Sequence, residues 1–327
     1  MSQGARKRRG GQASEGAARD PMGRDATEQP PHFLSSSQRK WLCESTDASV
    51  FNIEILVHKD VAKAARGIKK AVQGEASSQV SEEGDEASEG NSNLTVHCSG
   101  FAIHTNDRSK LRILSSIRVL EKFEKSVRDT YGDFKLETMK KAFEFMYLCI
   151  HECNEHRRKK SEYFNYQPID VLDVDIQKSL VVLEIDVNDA IDTCKENHPG
   201  IKMAGFRPAK GEQILLKAWP PQCPNVAGWS KISNNLDRKY KHIFKTSSGG
   251  YNMDMNMVEF NMAWENENEE TFEQFSGGPM LNGNAEFFGV FYGVHDQMSY
   301  ATSFADVKSF LKNYLDDEQR RGRDERY

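Results

Sequence analysis

The sequence lacks any long hydrophobic run. Its 327 residues have a mean hydropathy of -0.69, and none of its apolar stretches approaches the ~20 residues that a membrane-spanning helix needs. The N-terminus, MSQGARKRRGGQASEG, contains no apolar core of the kind found in a secretory signal. We therefore expect neither a membrane span nor secretion, and the sequence predicts an intracellular protein.

Cysteine is sparse, and its spacing does not complete a metal site. Reduced thiols are expected for six scattered cysteines in an intracellular chain. Cys149-x3-Cys153 with His156, and Cys194-x3-His198, resemble halves of a zinc site, but they do not supply a closed set of ligands. We predict no metal and no cofactor. The six cysteines are Cys43, Cys98, Cys149, Cys153, Cys194 and Cys223.

Charge is unevenly distributed along the chain. Residues 1–40 carry a net charge of +4, residues 73–93 carry -6, and residues 94–315 carry -3. The two biased segments are poor in aromatic and β-branched residues, so we expect them to be disordered. The predicted organisation is a disordered basic arm (1–40), an entry strand and helix (41–72), a disordered acidic loop (73–93), a globular body (94–315) and a charged tail (316–327).

Three interpretations of the basic cluster Arg6-Lys7-Arg8-Arg9 stay open. It is a nuclear-import patch, a weak nucleic-acid contact or a solvated basic terminus, and the predicted location is cytoplasmic or nuclear. The near-neutral body argues against dedicated nucleic-acid binding, which usually shows a clustered basic face. We therefore expect a protein or peptide partner, with no nucleic acid and no membrane, and the sequence leaves the oligomeric state open.

Short alternating segments dominate the body. Apolar and polar residues alternate over 50–57, before an Ala/Lys-rich helical pattern. From Leu94 onward, strand-like runs follow one another, and Asn282-Gly283 between two apolar runs predicts a hairpin. Ser303 precedes the last periodic stretch and predicts the N-cap of a C-terminal helix. This pattern indicates an all-β sandwich or barrel.

One motif in the body carries chemical information. It runs Phe275-Ser276-Gly277-Gly278-Pro279-Met280 and is followed by the hairpin and by Phe288-Gly289-Val290-Phe291-Tyr292-Gly293-Val294. The motif resembles the nucleophile segment of trypsin-like serine peptidases, Gly-Asp/Asn-Ser-Gly-Gly-Pro-Leu. In that family a serine lies on a tight turn whose backbone N–H groups stabilise the oxyanion.

The resemblance extends upstream, to the Deg-like branch of the same family. Cys98–Ile103, Ile113–Leu120 and Val174–Asp186 are similar to the strand segments that precede and carry the catalytic His and Asp in that branch. The resemblance implies two six-stranded antiparallel β-barrels with a C-terminal helix and a site at their junction. It places Arg118 at the His position and Ser179 at the Asp position.

The departures from the family fall on the catalytic chemistry. Arg118 cannot act as a general base because a guanidinium stays protonated, and Ser179 has no carboxylate. At the oxyanion turn, made by Gln274, Phe275, Ser276 and Gly277, a glycine of the family is replaced by Gln274. Ser276 alone is a poor nucleophile. The resemblance thus predicts an inactive homologue that acts as a protein- or peptide-binding module.

The alternative is an active serine endopeptidase that uses Ser276 with a relocated base. Candidate bases are His97, His104 and His295, and Asp175 or Asp186 would supply the carboxylate. The resemblance places the wall of the binding pocket at Phe291, Tyr292 and Gly293. The acidic stretch Trp264–Glu270 is either a solvated loop or a rim that favours basic peptides.

Overall fold

A computed structural model describes the chain over residues 34–74, 94–149, 166–189, 198–221, 226–233, 238–240, 253–262 and 272–315. Several sequence predictions therefore fall on residues outside the described part. These are the arm up to residue 33, the acidic loop from residue 75, the tail from residue 316, the thiols Cys153, Cys194 and Cys223, the imidazole of His156, and the acidic stretch Trp264–Glu270.

The described chain is mostly β-strand. Two 3-10 helices, Asp47–Ser49 and Arg118–Phe123, and five α-helices of the described part accompany the strands. The α-helices are α1 (Ser36–Thr46), α2 (Lys59–Gly74), α3 (Glu124–Tyr131), α4 (Leu136–Ala142) and α5 (Phe304–Leu311). The strands are β1 (Val50–Val57), β2 (Leu94–Ala102), β3 (Lys110–Ser116), β4 (Phe143–Leu148), β5 (Gln167–Pro168), β6 (Asp170–Asp175), β7 (Leu180–Asp186), β8 (Gln213–Ala218), β9 (Val226–Ile232), β10 (Arg238–Lys239), β11 (Asn256–Asn261), β12 (Pro279–Leu281), β13 (Phe287–His295) and β14 (Met298–Thr302).

The second sheet forms a closed barrel. Its strand order is β10-β11-β14-β13-β12-β8-β9, and β11 also pairs with β9, through Phe260 opposite Ile232. Six strands thus close on themselves, as predicted. The hairpin expected at Asn282-Gly283 is also confirmed, because β12 and β13 pair antiparallel on either side of it.

The first sheet differs from the predicted barrel. It has seven antiparallel strands in the order β5-β4-β1-β2-β3-β7-β6, and its pairing does not close. The two edge strands are consecutive in the chain and are separated by Ile169, whose N–H donates to Phe145 O at 3.0 Å. The prediction of two closed six-stranded barrels is therefore correct for the second sheet only.

Helices occupy more of the chain than the sequence pattern predicted. Helix α1 begins with a capping box, in which Ser35 Oγ accepts from Gln38 N and Ser35 N donates to Gln38 Oε1. The prediction of a disordered arm up to residue 40 is wrong for residues 36–40, which are helical. The segment 118–142, of which only the first three residues belong to a strand-like run, forms a 3-10 helix, α3 and α4 because its buried residues recur at helical spacing. Those residues include Leu120, Phe123 and Val127.

Helix α5 follows the predicted cap. Ser303 Oγ accepts from Asp306 N at 3.3 Å, as an N-cap does. Val307 and Leu311 of this helix are fully buried. The segment is only eight residues long, so it is a minor part of the architecture. None of the described helices combines the length and apolar character that crossing a membrane requires.

A buried ion pair fixes α1 to the barrel. Lys217 on β8 is 1% exposed, and its Nζ donates to Asp47 Oδ1 and, at 3.2 Å, to the backbone oxygen of Cys43. The ammonium group therefore binds at the C-terminal end of α1, where the helix carbonyls are otherwise unpaired. This contact connects the N-terminal helix to the second sheet, although α1 leads directly into the first.

We predict that removing the carboxylate of this pair destabilises the fold. Asp47→Ala leaves a buried ammonium without its anion and should lower the free energy of unfolding by about 2–4 kcal/mol, as measured by urea denaturation. Asp254→Ala is the matched control, because Asp254 pairs with Lys239 at the surface with exposed fractions of 61% and 50%. Its cost should stay below about 1 kcal/mol, and equal costs for the two variants would contradict the prediction.

Candidate functional site

Three strand ends bring the predicted catalytic positions to the junction of the two sheets. Arg118 opens the 3-10 helix after β3, Ser179 lies in the turn between β6 and β7, and Ser276 lies in the turn before β12. Ile117 N donates to Ser179 O at 3.1 Å, so the first two positions are joined through the backbone. Ser179 has a φ of 55°, a left-handed conformation that is uncommon for serine.

Ser99 on β2 ties the Ser276 turn to both sheets. Its N–H donates to Ser276 O at 2.8 Å, and its Oγ donates to Gln274 O at 3.3 Å while accepting from Trp219 N at 2.8 Å. Its own carbonyl accepts from Ser115 Oγ at 2.6 Å. Every polar group of this fully buried residue therefore has a partner, as buried polar groups require.

Asn52 makes a second polar connection between the sheets. Its Nδ2 donates to Trp219 O at 2.6 Å, and its Oδ1 accepts from Tyr166 Oη at 2.8 Å. Both backbone groups of Trp219, the residue after β8, are thus bound by side chains of the first sheet. Hydrogen bonds as well as packing therefore hold the two sheets together at this junction.

The Ser276 side chain is closed off from solvent and from any base. The residue is 0% exposed, and among the described residues none forms a hydrogen bond with its Oγ. Within the described part of the chain, neither an imidazole nor Arg118 forms a hydrogen bond with the hydroxyl. Attack on a substrate would require both access to the oxygen and a group that removes its proton, and this arrangement supplies neither.

Three backbone N–H groups of the turn are engaged internally. Ser276 N donates to Glu273 O and Phe275 N donates to Phe272 O, both at 3.1 Å. Gly277 N donates to Phe291 O at 2.9 Å. An oxyanion hole needs N–H groups directed at the position of the developing charge. In this turn, the N–H of Ser276 is directed at a carbonyl of the preceding turn instead.

Gly277 is required by the close approach of the turn to the first sheet. Its φ is +90°, and a Cβ there would lie 2.0 Å from Ser99 O and 2.5 Å from Ser115 Oγ. Only glycine combines this backbone conformation with that spacing. The sequence motif therefore predicts the turn correctly, and the glycine is needed for packing irrespective of catalysis.

Arg118 belongs to a buried polar network. Its Nη1 lies 3.7 Å from Glu121 Oε2, and its guanidinium carbon lies 4.4 Å from the centre of the Tyr292 ring. Glu121 Oε1 accepts from Tyr292 Oη at 2.7 Å and from Ser179 Oγ at 3.3 Å. The residues at the His and Asp positions are therefore linked through one carboxylate, that of Glu121.

Burial and pairing set the ionisation of this network. Burial raises the pKa of the Glu121 carboxyl, and attraction to Arg118 opposes the shift. Burial lowers the pKa of the Arg118 guanidinium, but its interactions with Tyr292 and Glu121 outweigh that effect, so the net shift is upward. The Tyr292 hydroxyl, fully buried, has a pKa well above its usual value. Arg118 thus stays charged and cannot accept a proton.

The predicted pocket wall is buried in this structure. Phe291 and Tyr292 are fully buried. Gly293 is also buried, and a Cβ on it would lie 3.1 Å from Arg118 Nε. The Arg118 side chain packs on Tyr292 and Gly293, and the role of these residues as a pocket wall stays a prediction.

The candidate replacement bases contact other groups. His97 Nδ1 lies 3.3 Å from Asn52 Oδ1 and its Nε2 lies 3.7 Å from Glu54 Oε2, while burial lowers the His97 pKa. His295 Nε2 lies 3.4 Å from Asp296 Oδ2, and the backbone N–H of His104 donates to Ile201 O. None of the three forms a hydrogen bond with Ser276.

The candidate carboxylates are also engaged elsewhere. Asp175 lies 3.0 Å from Lys178 Nζ, and Asp186 lies 3.4 Å from Lys110 Nζ. Within the described part of the chain, no group of three or more His, Cys, Asp or Glu residues is placed to hold a metal.

The sequence interpretation missed two residues that define the site. Glu121 lies three positions after Arg118, and opposite charges at that spacing could have suggested an ion pair. Ser99 stands inside the motif Cys98–Ile103, but its contact with the Ser276 turn depends on residues more than 170 positions away. No local sequence pattern predicts that contact.

Comparison with known proteins gives matches among solved structures alone. No family model matches the chain, and no curated protein matches it. The Rv3671c protease of M. tuberculosis in its active form is similar in structure, with 13% identity and a TM-score of 0.49, over 90% of this chain and 93% of that one. Deg5 is similar with 13% identity and a TM-score of 0.48, over 84% and 94% of the two chains.

We predict that Gly277→Ala is far more damaging than Gly132→Ala. The two glycines have nearly the same φ, +90° and +91°, but a Cβ on Gly132 would meet nothing within 4 Å. Gly132→Ala should cost about 1–2 kcal/mol of conformational strain, whereas Gly277→Ala should cost about 3 kcal/mol or more because it adds overpacking. Thermal and urea unfolding measure both, and similar costs would show that the turn is not tightly packed against β2.

We also predict energetic coupling between Arg118 and Glu121. Arg118→Met and Glu121→Gln should each destabilise the fold, since each removes the opposite charge beside a mostly buried side chain, and the double variant should be less unstable than the sum by about 1–3 kcal/mol. The same cycle on Lys110 and Asp186, which are about one-third exposed, should give a coupling below about 1 kcal/mol. An additive Arg118 cycle would contradict a structural role for the pair.

Proposed function

We propose that the protein is a non-catalytic homologue of the trypsin-like serine peptidases that serves as a protein- or peptide-binding module. The observation that carries this proposal is the state of Ser276. Its hydroxyl is fully buried without a hydrogen-bond partner among the described residues, and its N–H is bonded to Glu273 O. Ser276 lies in the turn that the motif predicts, but no described base is hydrogen-bonded to its hydroxyl and its N–H is not free to bind an oxyanion.

Acyl transfer by a serine needs a base, an oxyanion hole and substrate access. The position of the base holds Arg118, which is charged and ion-paired with Glu121. The N–H of Ser276 is already bonded, and the space beside Tyr292 and Gly293 contains the Arg118 side chain. All three requirements fail at one place, so restoring any single residue would not restore hydrolysis.

The replaced residues have a structural use, which supports retention of the domain as a scaffold. Arg118 and Ser179 both contact Glu121, and Glu121 also accepts from Tyr292 of β13. The network thus joins the 3-10 helix of the first sheet to a strand of the second. Charge-assisted hydrogen bonds of this kind fix one arrangement of the elements that they connect.

A binding role would fall to surfaces outside the sealed junction. Among the described residues, the large apolar side chains that are exposed are Trp41, at 52%, and Phe206, at 57%. Aromatic residues are enriched in the cores of protein interfaces, where they act as anchors. Trp41 on α1 and Phe206 in the segment between Met203 and β8 are therefore the residues to replace first when a protein partner is mapped.

A serine-directed fluorophosphonate probe tests the proposal. We expect no labelling of the folded protein at Ser276, because the hydroxyl is buried and has no base to remove its proton. The readout is intact mass with and without the probe, with Ser276→Ala as the matched background and an active serine peptidase as the positive control. Stoichiometric labelling that disappears in Ser276→Ala would overturn the proposal.

The second candidate, an active serine endopeptidase with a relocated base, makes the opposite prediction. It requires peptide cleavage that Ser276→Ala abolishes. Incubation with a broad peptide library, followed by mass spectrometry, measures this directly. Cleavage dependent on Ser276 would favour the enzyme, and absence of turnover together with absence of labelling would favour the binding module.

A further inference from the structure

The helices beside the first sheet form one continuous layer. We call α2, the 3-10 helix Arg118–Phe123, α3 and α4 the basic layer. Their ends meet at His58, whose N–H donates to Ala142 O at 2.8 Å and whose Nδ1 is joined to Tyr131 Oη by a 2.8 Å hydrogen bond. The start of α2, the end of α3 and the end of α4 therefore lie together.

Exposed positive charge is concentrated on this layer. Nine lysines and arginines of the layer and its caps are exposed, against four exposed acids, so that the exposed side chains carry a net charge of +5. The whole chain carries -5. The exposed acids are Asp60, Asp129, Asp133 and Glu137. The exposed bases are Lys59, Lys63, Arg66, Lys122, Lys125, Arg128, Lys135, Lys140 and Lys141.

Most of these bases have no acidic partner in the part of the chain that the structure describes. Lys122 pairs with Glu273 at 3.4 Å, and Arg128 pairs with Glu124 at 2.7 Å. The other seven form no ion pair with any described residue. Like charges that share a surface without counterions repel one another, and a bound polyanion relieves that repulsion and releases its own counterions.

The charges on α2 follow one face. Lys59, Lys63 and Arg66 stand at i, i+4 and i+7, a stripe about 10 Å long at 1.5 Å per residue. Val61, on the other side of the helix, is buried in the core of the first sheet. The stripe therefore faces outward, and duplex nucleic acid presents about six phosphate charges over the same length.

The chemistry of the layer favours phosphates over a protein or a membrane. Interface cores between proteins are depleted of lysine and enriched in aromatic residues, and the exposed aromatic side chains Trp41 and Phe206 lie on other elements. A helix that lies on a membrane needs an exposed apolar face, whereas Val61 and Val127 of this layer are buried. The exposed side chains that distinguish this surface are lysines and arginines, the residues with which proteins contact the phosphates of a nucleic-acid backbone.

We propose that the basic layer binds the phosphate backbone of double-stranded nucleic acid without reading its sequence. The expectation that nucleic acid is not a partner rests on the near-neutral charge of the body as a whole. Folding separates that charge, because α2, α3 and α4 come together on one side. The proposal is independent of whether Ser276 is catalytic.

The test is fluorescence anisotropy of the full-length protein with a labelled DNA duplex of random sequence, titrated over a range of salt. We expect binding that weakens with salt, with a slope of log K against log[salt] of about -0.9 for each phosphate contacted. The variant Lys59→Gln, Lys63→Gln, Lys140→Gln, Lys141→Gln should bind at least about tenfold more weakly at low salt, with a slope shallower by about 3–4.

The matched control removes four exposed lysines elsewhere, in the variant Lys202→Gln, Lys210→Gln, Lys231→Gln, Lys312→Gln. It has the same net charge as the first variant and should bind like the unmodified protein. Equal weakening in both variants, unchanged binding in the first, or absence of binding by the unmodified protein would overturn the proposal. Binding to phosphatidylserine vesicles without binding to the duplex would overturn it in favour of a lipid surface.

Discussion

The hydrogen bonds of Ser99 hold the two sheets and the Ser276 turn in a single arrangement. This one side chain accepts from Trp219 N and donates to Gln274 O, while its backbone N–H binds Ser276 O. Breaking the hydrogen bonds of a buried hydroxyl costs free energy, because each freed donor or acceptor would remain buried without a partner. The glycine at position 277, which approaches Ser99 O closely, depends on the same contact.

Around this junction, the residues at the predicted catalytic positions are bonded to one another. Arg118 stacks on Tyr292 and pairs with Glu121, and Ser179 donates to the same carboxylate. An active site keeps polar groups incompletely paired so that they can act on a substrate, whereas these groups are bonded to one another.

The basic layer is a property of the folded chain that the net charge of the sequence does not show. Net charges summed over long segments cancel, and they predict a body without a basic face. The tertiary structure places α2 beside α3 and α4 through the contacts of His58 with Tyr131 and Ala142, and most exposed lysines of this region then lie together. Surface potential depends on where charges lie in space, and over distances beyond about 10 Å salt screens them.

The sequence by itself determined the strand-rich class, the Ser276 turn, the hairpin after it and the cap of α5 at Ser303, because each follows from residues within a few positions of one another. It did not reveal the helices in 118–142, whose apolar spacing competes with neighbouring strand patterns, or that the first sheet does not close. Only the tertiary structure decided the chemistry of the site. Glu121 meets a tyrosine 171 positions away, and whether a hydroxyl is buried or an N–H is engaged depends on such distant packing, which no local pattern encodes.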